Sequence, residues 1–182
     1  MIFQLFRRTP RGDTIASLYG TIVAQARAPA FYQIYGVPDT VNGRFEMIVL
    51  HAVLLLRRLN TEPGPAGQLG QGIFDRFCGD MDANLREMGV GDLAVPRTMR
   101  RFGEAFYGRQ AAYEAAFAAA NGTKLVEALA RNAYGAEPAD GAGRLAVYVR
   151  EAVRHLAAQD GAALSRGELR FPDPAGALVP PI

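Results

Sequence analysis

The sequence predicts an all-α protein folded as a single compact domain, and three observations carry that expectation. Apolar residues recur at spacings of three and four along most of the chain, sustained period-two alternation between hairpin turns is missing, and capping or breaking residues punctuate the periodic stretches. Of 182 residues, 49% are hydrophobic and 21% charged. A chain of this length can bury roughly 70% of its unfolded surface, so one domain is sufficient. The domain is expected to span residues 1–182, with segments 1–12 and 171–182 as loosely docked tails, the second short and extended.

About seven helices follow in order. The first is capped by Asp13 or Thr14, whose side chains can satisfy free amides, and runs to Ala28, because Pro29 cannot continue the hydrogen-bond ladder. A short helix from Pro29 to Tyr35 stops at Gly36. The third runs from Asn42 to Asn60, between the turn-like Val37-Pro38-Asp39 and the loop Thr61-Glu62-Pro63-Gly64-Pro65. Its apolar residues include Phe45, Ile48, Val49, Ala52, Leu55, Leu56 and Leu59 on one face and Met47, Leu50 and Leu54 on others, which predicts a central helix. The fourth extends from Gln68 to Met88, with Phe74, Phe77, Met81, Leu85 and Met88 on its apolar face and Gly89 as a left-handed cap. Pro96 suits the first turn of a fifth helix reaching Ala120, with Met99, Phe102, Phe106, Tyr113 and Phe117 as its stripe. Asn121-Gly122-Thr123 ends it and caps a sixth from Lys124 to Tyr134. A seventh spans Gly143 to Gln159, followed by a single turn near Ala162 to Ser165 and a proline-bearing tail from Phe171.

Composition and motifs remove several function classes. The formal charge is +2, with 20 Lys and Arg against 18 Asp and Glu, so an anion-binding role requires local clustering. Cys78 is the single cysteine; it can form no intramolecular disulfide and is expected to be buried and inert. The amino terminus, Met1 to Arg8, has its arginines after a short apolar stretch, the reverse of a secretory signal. The apolar segment Ile48 to Leu56 is interrupted by His51 and falls well short of the roughly 20 residues of a membrane span. Nucleotide-phosphate loops, zinc-protease motifs, nucleophile elbows and cofactor-attachment motifs are missing, so neither catalytic residues, a metal site nor a cofactor is expected.

Four constellations remain as candidate sites. Arg44, His51 and Arg58, seven apart, lie almost in line on the third helix and form either a basic ridge for a partner or a partly buried histidine between solvated arginines. Asp80 and Asp82 differ by about 200° around a helix and cannot converge unaided; Asp82 stands four residues before Arg86, the spacing of a surface ion pair, although an acidic partner contact stays open. Arg97, Arg100 and Arg101 cluster in the opening turns of the fifth helix, where cations oppose the helix dipole. Such placement suits an acidic segment, RNA phosphate or lipid headgroups as much as plain solvation. Arg109 flanks the aromatic stripe, where its stem can cover core and its guanidinium can hold a carboxylate or a partner.

Two stretches resemble the ubiquinol-cytochrome c chaperone family. One is Gly43-Arg44-Phe45-Glu46-Met47-Ile48-Val49-Leu50-His51 continuing to Arg57-Arg58-Leu59. The other begins Phe77-Cys78-Gly79-Asp80-Met81-Asp82, continues through Leu85-Arg86-Glu87-Met88-Gly89-Val90-Gly91-Asp92 and Val95-Pro96-Arg97-Thr98-Met99-Arg100, and reaches Phe106-Tyr107-Gly108-Arg109. The likeness covers the region from Leu18 to Phe117, and the start, with Tyr32, Gly36, Val37 and Pro38, looks like bacterial members. Arg97 and Arg100 stand where relatives commonly carry lysine.

The resemblance implies an α-helical, non-enzymatic assembly chaperone that binds the cytochrome b precursor and supports assembly of complex III. By motif position it lends interest to Asp80, Asp82, Arg97, Arg100, Tyr107, Gly108 and Arg109 as client or ribosome contacts; Arg101 joins them by its clustering. It further implies a ribosome and a second chaperone as partners, and the expected location is cytoplasmic, with peripheral contact at the inner face of the cytoplasmic membrane. Two readings of other classes compete with it. A helical nucleic-acid-binding regulator has this size, but no basic recognition helix stands out and specific DNA binding is not expected. A quinone or lipid carrier requires an enclosed apolar pocket.

Overall fold

The computed structural model describes residues 10–119, 121–135 and 140–176, and every described element is helical. In chain order these are α1 (Pro10–Ala26), α2 (Pro29–Gln33), α3 (Val41–Leu59), α4 (Leu69–Glu87), α5 (Val95–Ala118), α6 (Thr123–Leu129) with a π-helical turn (Ala130–Tyr134), α7 (Ala142–Ala157) and α8 (Gly161–Ser165). The all-α expectation holds. Most predicted ends fall within one or two residues.

The beginning of α1 is the larger departure. The helix starts at Pro10, which places Asp13 in its first turn rather than at the cap. Ser17 on the same helix donates to Gly167 O at 2.9 Å, and Thr14 to Ser165 O at 3.3 Å, so these hydroxyls tie α1 to the end of α8. Residues 1–9 of the predicted amino-terminal tail lie outside the described residues.

α3 is the axis of the molecule. Every residue from Glu46 to Leu56 is buried, and α1, α4, α5, α7 and the π-helical turn all pack against it. A helix enclosed on all sides must be apolar on all sides, which explains why Met47, Leu50 and Leu54 spoil a simple amphipathic pattern. Thr40 caps it by accepting from Gly43 N at 3.1 Å. Gly43 is required there for space, because a Cβ would stand 1.9 Å from Pro38 O.

α1 and α4 pair beside α3, and α5 lies against α3 and α4 and hands on to α6 and α7. Phe77, Met81 and Leu85 on α4 are buried, as are Phe106 and Tyr113 on α5, while Met99, Phe102 and Phe117 are partly buried against the same core. Met88 departs from its predicted place in the α4 stripe. It is 60% exposed, because α4 ends at Glu87 and Gly89, at φ 79°, turns the chain away from the core. Cys78, expected to be buried, is only partly so.

Of the predicted tail, residues 171–176 are described, and 177–182 lie outside the described residues. Phe171 packs its ring edge-on to His51 with centroids 5.0 Å apart, and Pro174 is buried. Among the described residues, no helix is long and apolar enough to cross a membrane.

Candidate functional site

The resemblance-bearing motifs of α3 and α5 meet inside the molecule. Glu46 is 1% exposed, and Arg109 grips it with Nη2 to Oε1 at 2.6 Å and Nε to Oε2 at 3.1 Å. The guanidinium of Arg109 is held above its usual basicity, first by that hydrogen bonding and then against the cost of desolvation. Arg109 is thus committed to a carboxylate on its own chain. A lone acid inside the buried central helix is a signal that a cation must come to it, yet periodicity alone could not name Arg109 as the partner.

His51 has a second internal task. It is fully buried, with Nδ1 2.7 Å from Met47 O and Nε2 2.9 Å from the Tyr148 hydroxyl. A carbonyl can only accept, so Nδ1 carries the proton and Nε2 accepts from Tyr148. Burial pushes the imidazole down to about 4, which keeps it neutral near pH 7. Tyr148 accepts in turn from Gln25 Nε2 at 3.0 Å.

The structure therefore divides the predicted ridge of Arg44, His51 and Arg58 into three unconnected roles. Arg44 lies at the surface, paired with Asp39 at 2.7 Å. Arg58 turns inward to Leu156 O at 2.8 Å and Gln159 O at 2.7 Å while also pairing with Glu62. It donates to carbonyls at and just beyond the end of α7, where a cation also meets the favourable end of the helix dipole. Asp80 and Asp82 likewise separate. Asp80 accepts from the Tyr19 hydroxyl at 2.9 Å across the α1–α4 seam. Asp82 pairs with Arg86 at 2.7 Å, and Arg86 also reaches Asp92 at 2.6 Å.

The chain is similar to known proteins over most of its length. The model of the family described as ubiquinol-cytochrome C chaperone matches residues 33–171. The chain belongs to the ubiquinol-cytochrome c chaperone family. A solved structure, the crystal structure of the Cbp3 homolog from Brucella abortus, is similar with a TM-score of 0.83 and 39% identity, over 96% of this chain and 98% of that one. A search of curated proteins returns no match.

Glu46, Arg109 and His51 are occupied internally, and α4 and α5 bring a cluster of aromatic rings together nearer the surface. Phe74 on α4 packs against Phe106 and Tyr107 on α5, with centroids 5.0 and 5.1 Å apart. Phe77 continues the cluster inward to Phe45, and Phe45 stacks on Phe102 at 5.1 Å. At the surface Phe74 and Tyr107 border an open cleft of about 190 Å³ together with Leu56, with Phe106 buried beneath them and Asn60, Gln71 and Gln110 around it. Tyr107 is 56% exposed at its edge. The volume falls below the roughly 300–1,000 Å³ of sites that enclose a small ligand, so this cleft does not suit a swallowed quinone or lipid.

Arg97, Arg100 and Arg101 are all exposed on the opening turns of α5, on the side away from buried Val95 and Phe106. Arg100 approaches Glu104 at 3.6 Å, an exposed i,i+4 pair, whereas Arg97 and Arg101 form no ion pair among the described residues. Arg100 and Tyr107, seven residues apart, share one side of α5 and are separated by roughly 10 Å along its axis. Among the predicted contact residues, this brings one arginine into line with the cleft. Among the described residues, no three His, Cys, Asp or Glu side chains gather to hold a metal ion.

Sequence reasoning missed the cleft because its lining comes from the end of α3, the beginning of α4 and the middle of α5. Tyr107, one residue past Phe106 and so off the predicted stripe, was the available trace.

Proposed function

We propose that this chain is a non-catalytic assembly chaperone for complex III, holding newly made cytochrome b in the open aromatic cleft between α4 and α5. The cleft is the observation that carries the reading. Phe74 and Tyr107 offer aromatic edges to an immature membrane segment, and the carboxamides of Asn60, Gln71 and Gln110 can both donate to and accept from peptide groups that have lost water. Neither a cofactor nor turnover enters this mechanism. Family membership and the likeness to the Cbp3 homolog support the complex III assignment; the choice of cytochrome b as client follows the resemblance of the motifs.

Arg97, Arg100 and Arg101 serve the same client in a second way. Their exposed charge lies beyond the cleft along α5 and suits acidic client loops or the phosphates of a ribosome, orienting encounter rather than supplying most of the affinity. In this reading the chain acts from the cytoplasmic side, beside the membrane that receives the client, with a second chaperone as an optional partner.

A photo-crosslinking amino acid at Tyr107 or Gln71 in respiring cells should capture cytochrome b, while the same group at exposed Val147 on α7 should not. Deleting the gene should lower mature cytochrome b and complex III more than other respiratory complexes. Capture of unrelated proteins at both sites, with normal complex III in the deletion strain, would remove the proposal.

A further inference from the structure

The segment that follows α8 is held in an unusual manner by the helical body. From Glu168 to Asp173 it is neither helix nor strand, and Leu169 and Pro174 are buried. It joins no sheet. Instead, side chains of the helical body bind its main chain at every second residue. Gln159 clasps residue 170 in both directions, accepting from Arg170 N at 3.0 Å and donating to Arg170 O at 2.7 Å. Gln25 Nε2 donates to Pro172 O at 2.9 Å, and the Tyr35 hydroxyl donates to Pro174 O at 2.7 Å.

Three groups, from α1 and from just beyond the ends of α2 and α7, thus hold the carbonyls of alternate residues 170, 172 and 174. Pro172 and Pro174 lack an N–H, which removes the donors that an extended segment would otherwise leave unpaired. Between the polar contacts, the Phe171 ring lies edge-on to His51, itself ringed by Phe31 and Tyr148 with centroids 5.3 and 5.7 Å away. Such a surface recognises backbone plus one aromatic side chain. It places little demand on the rest of the ligand sequence.

We propose that this surface is a peptide-binding groove occupied in cis by residues 168–176, and that an extended segment of another polypeptide, carrying an aromatic residue followed by proline, can exchange for that strap. The groove uses residues other than those of the α4–α5 cleft, so the inference goes beyond the client assignment and stands or falls separately from it. A covalently attached occupant competes at an effective concentration of roughly millimolar, which keeps the groove closed until the strap is weakened or a better segment arrives.

The test uses the full chain and a fluorescein-labelled peptide of residues 168–176. In the Phe171→Ala chain, whose own strap is weakened while the groove is intact, the peptide should bind at least tenfold more tightly than in the wild type, by fluorescence anisotropy. Adding Gln159→Ala should reverse that gain. On the unaltered chain, hydrogen exchange of the Arg170 amide should run at least a hundredfold faster than that of the central amides of α3, reporting opening of the strap alone. The proposal is overturned if the folded Phe171→Ala chain ignores the peptide. It is equally overturned if Arg170 is protected as strongly as α3, an outcome that can be read even where Phe171→Ala fails to fold.

Discussion

Removing the Arg109 side chain tests whether the resemblance-bearing motifs act inside the fold. In Arg109→Ala the Glu46 carboxylate, 1% exposed, loses all three of its contacts from the guanidinium. Breaking a buried pair from one side costs about 3–5 kcal/mol, because a charge stays behind without a partner. The Arg109 side chain is 29% exposed, so water can enter where it stood, and the expected loss lies at the low end, about 3 kcal/mol. That is a large fraction of the roughly 5–15 kcal/mol that holds an ordinary domain together. Urea unfolding followed by circular dichroism measures it as a shift in midpoint at constant slope. The double replacement Glu46→Met with Arg109→Met should recover most of the loss, since matched apolar groups carry no stranded charge. A cost below about 1 kcal/mol for Arg109→Ala would refute the clamp and return Arg109 to the candidate surface contacts.

Three further outcomes are expected. The buried imidazole of His51 titrates near 4 in the fold against 6.5 when unfolded; its contribution is complete above pH 6.5, is lost as pH falls toward 4, and amounts to about 3 kcal/mol. Unfolding free energy measured across that window should therefore lose its slope in His51→Gln relative to the wild type. Replacing Arg97, Arg100 and Arg101 together with glutamine should leave the thermal midpoint unchanged or slightly raised, since cations at the start of α5 oppose its dipole. The same variant should capture cytochrome b or ribosomes several-fold less well in pull-downs at low salt, and undiminished capture would make the cluster plain solvated surface. Phe106→Ala should destabilise the fold by about 3–5 kcal/mol in the urea assay, because that fully buried ring contacts Phe74 and Phe77.

What could be read from the residues was local. Helix periodicity, the cap at Gly89 and the pair Asp82–Arg86 depend on neighbours within a few positions, and each stands in the structure as the spacing predicts. What could not be read was pairing at long range. Glu46 and Arg109 are 63 positions apart, and His51 and Tyr148 are 97 apart. A helical projection shows the direction of a side chain without the helix it will face. Arg44, His51 and Arg58 share a line on α3, yet a helix surrounded on all sides sends one to solvent, one to the core and one to the end of α7. The cleft was hidden for the same reason, since its walls belong to three separate elements. Met88 shows the converse limit: its spacing continued the α4 stripe beyond the point where the helix stops.

The division between interior and surface charge bears on how a holding chaperone can also let go. A client segment bound as deeply as Phe106 would gain affinity comparable to a folded core and would not leave for its final partner. In the proposed reading the α4–α5 cleft would instead cover one side of a segment, leave the other in water and surround the contact with amides that water can replace. Association through it loses much of its apolar gain to the freedom surrendered on binding. A subunit that encloses the same segment on all sides then outcompetes the chaperone without any input of energy, because it buries more of the same apolar surface. The polar groups that would make the cleft stickier, Glu46 and Arg109, are kept inside, where they hold α5 against α3 and so keep Phe74, Phe106 and Tyr107 in place. On this argument the clamp sets the shape of the binding surface while staying out of its affinity, and Glu46→Met with Arg109→Met should fold yet hold its client with unchanged salt dependence.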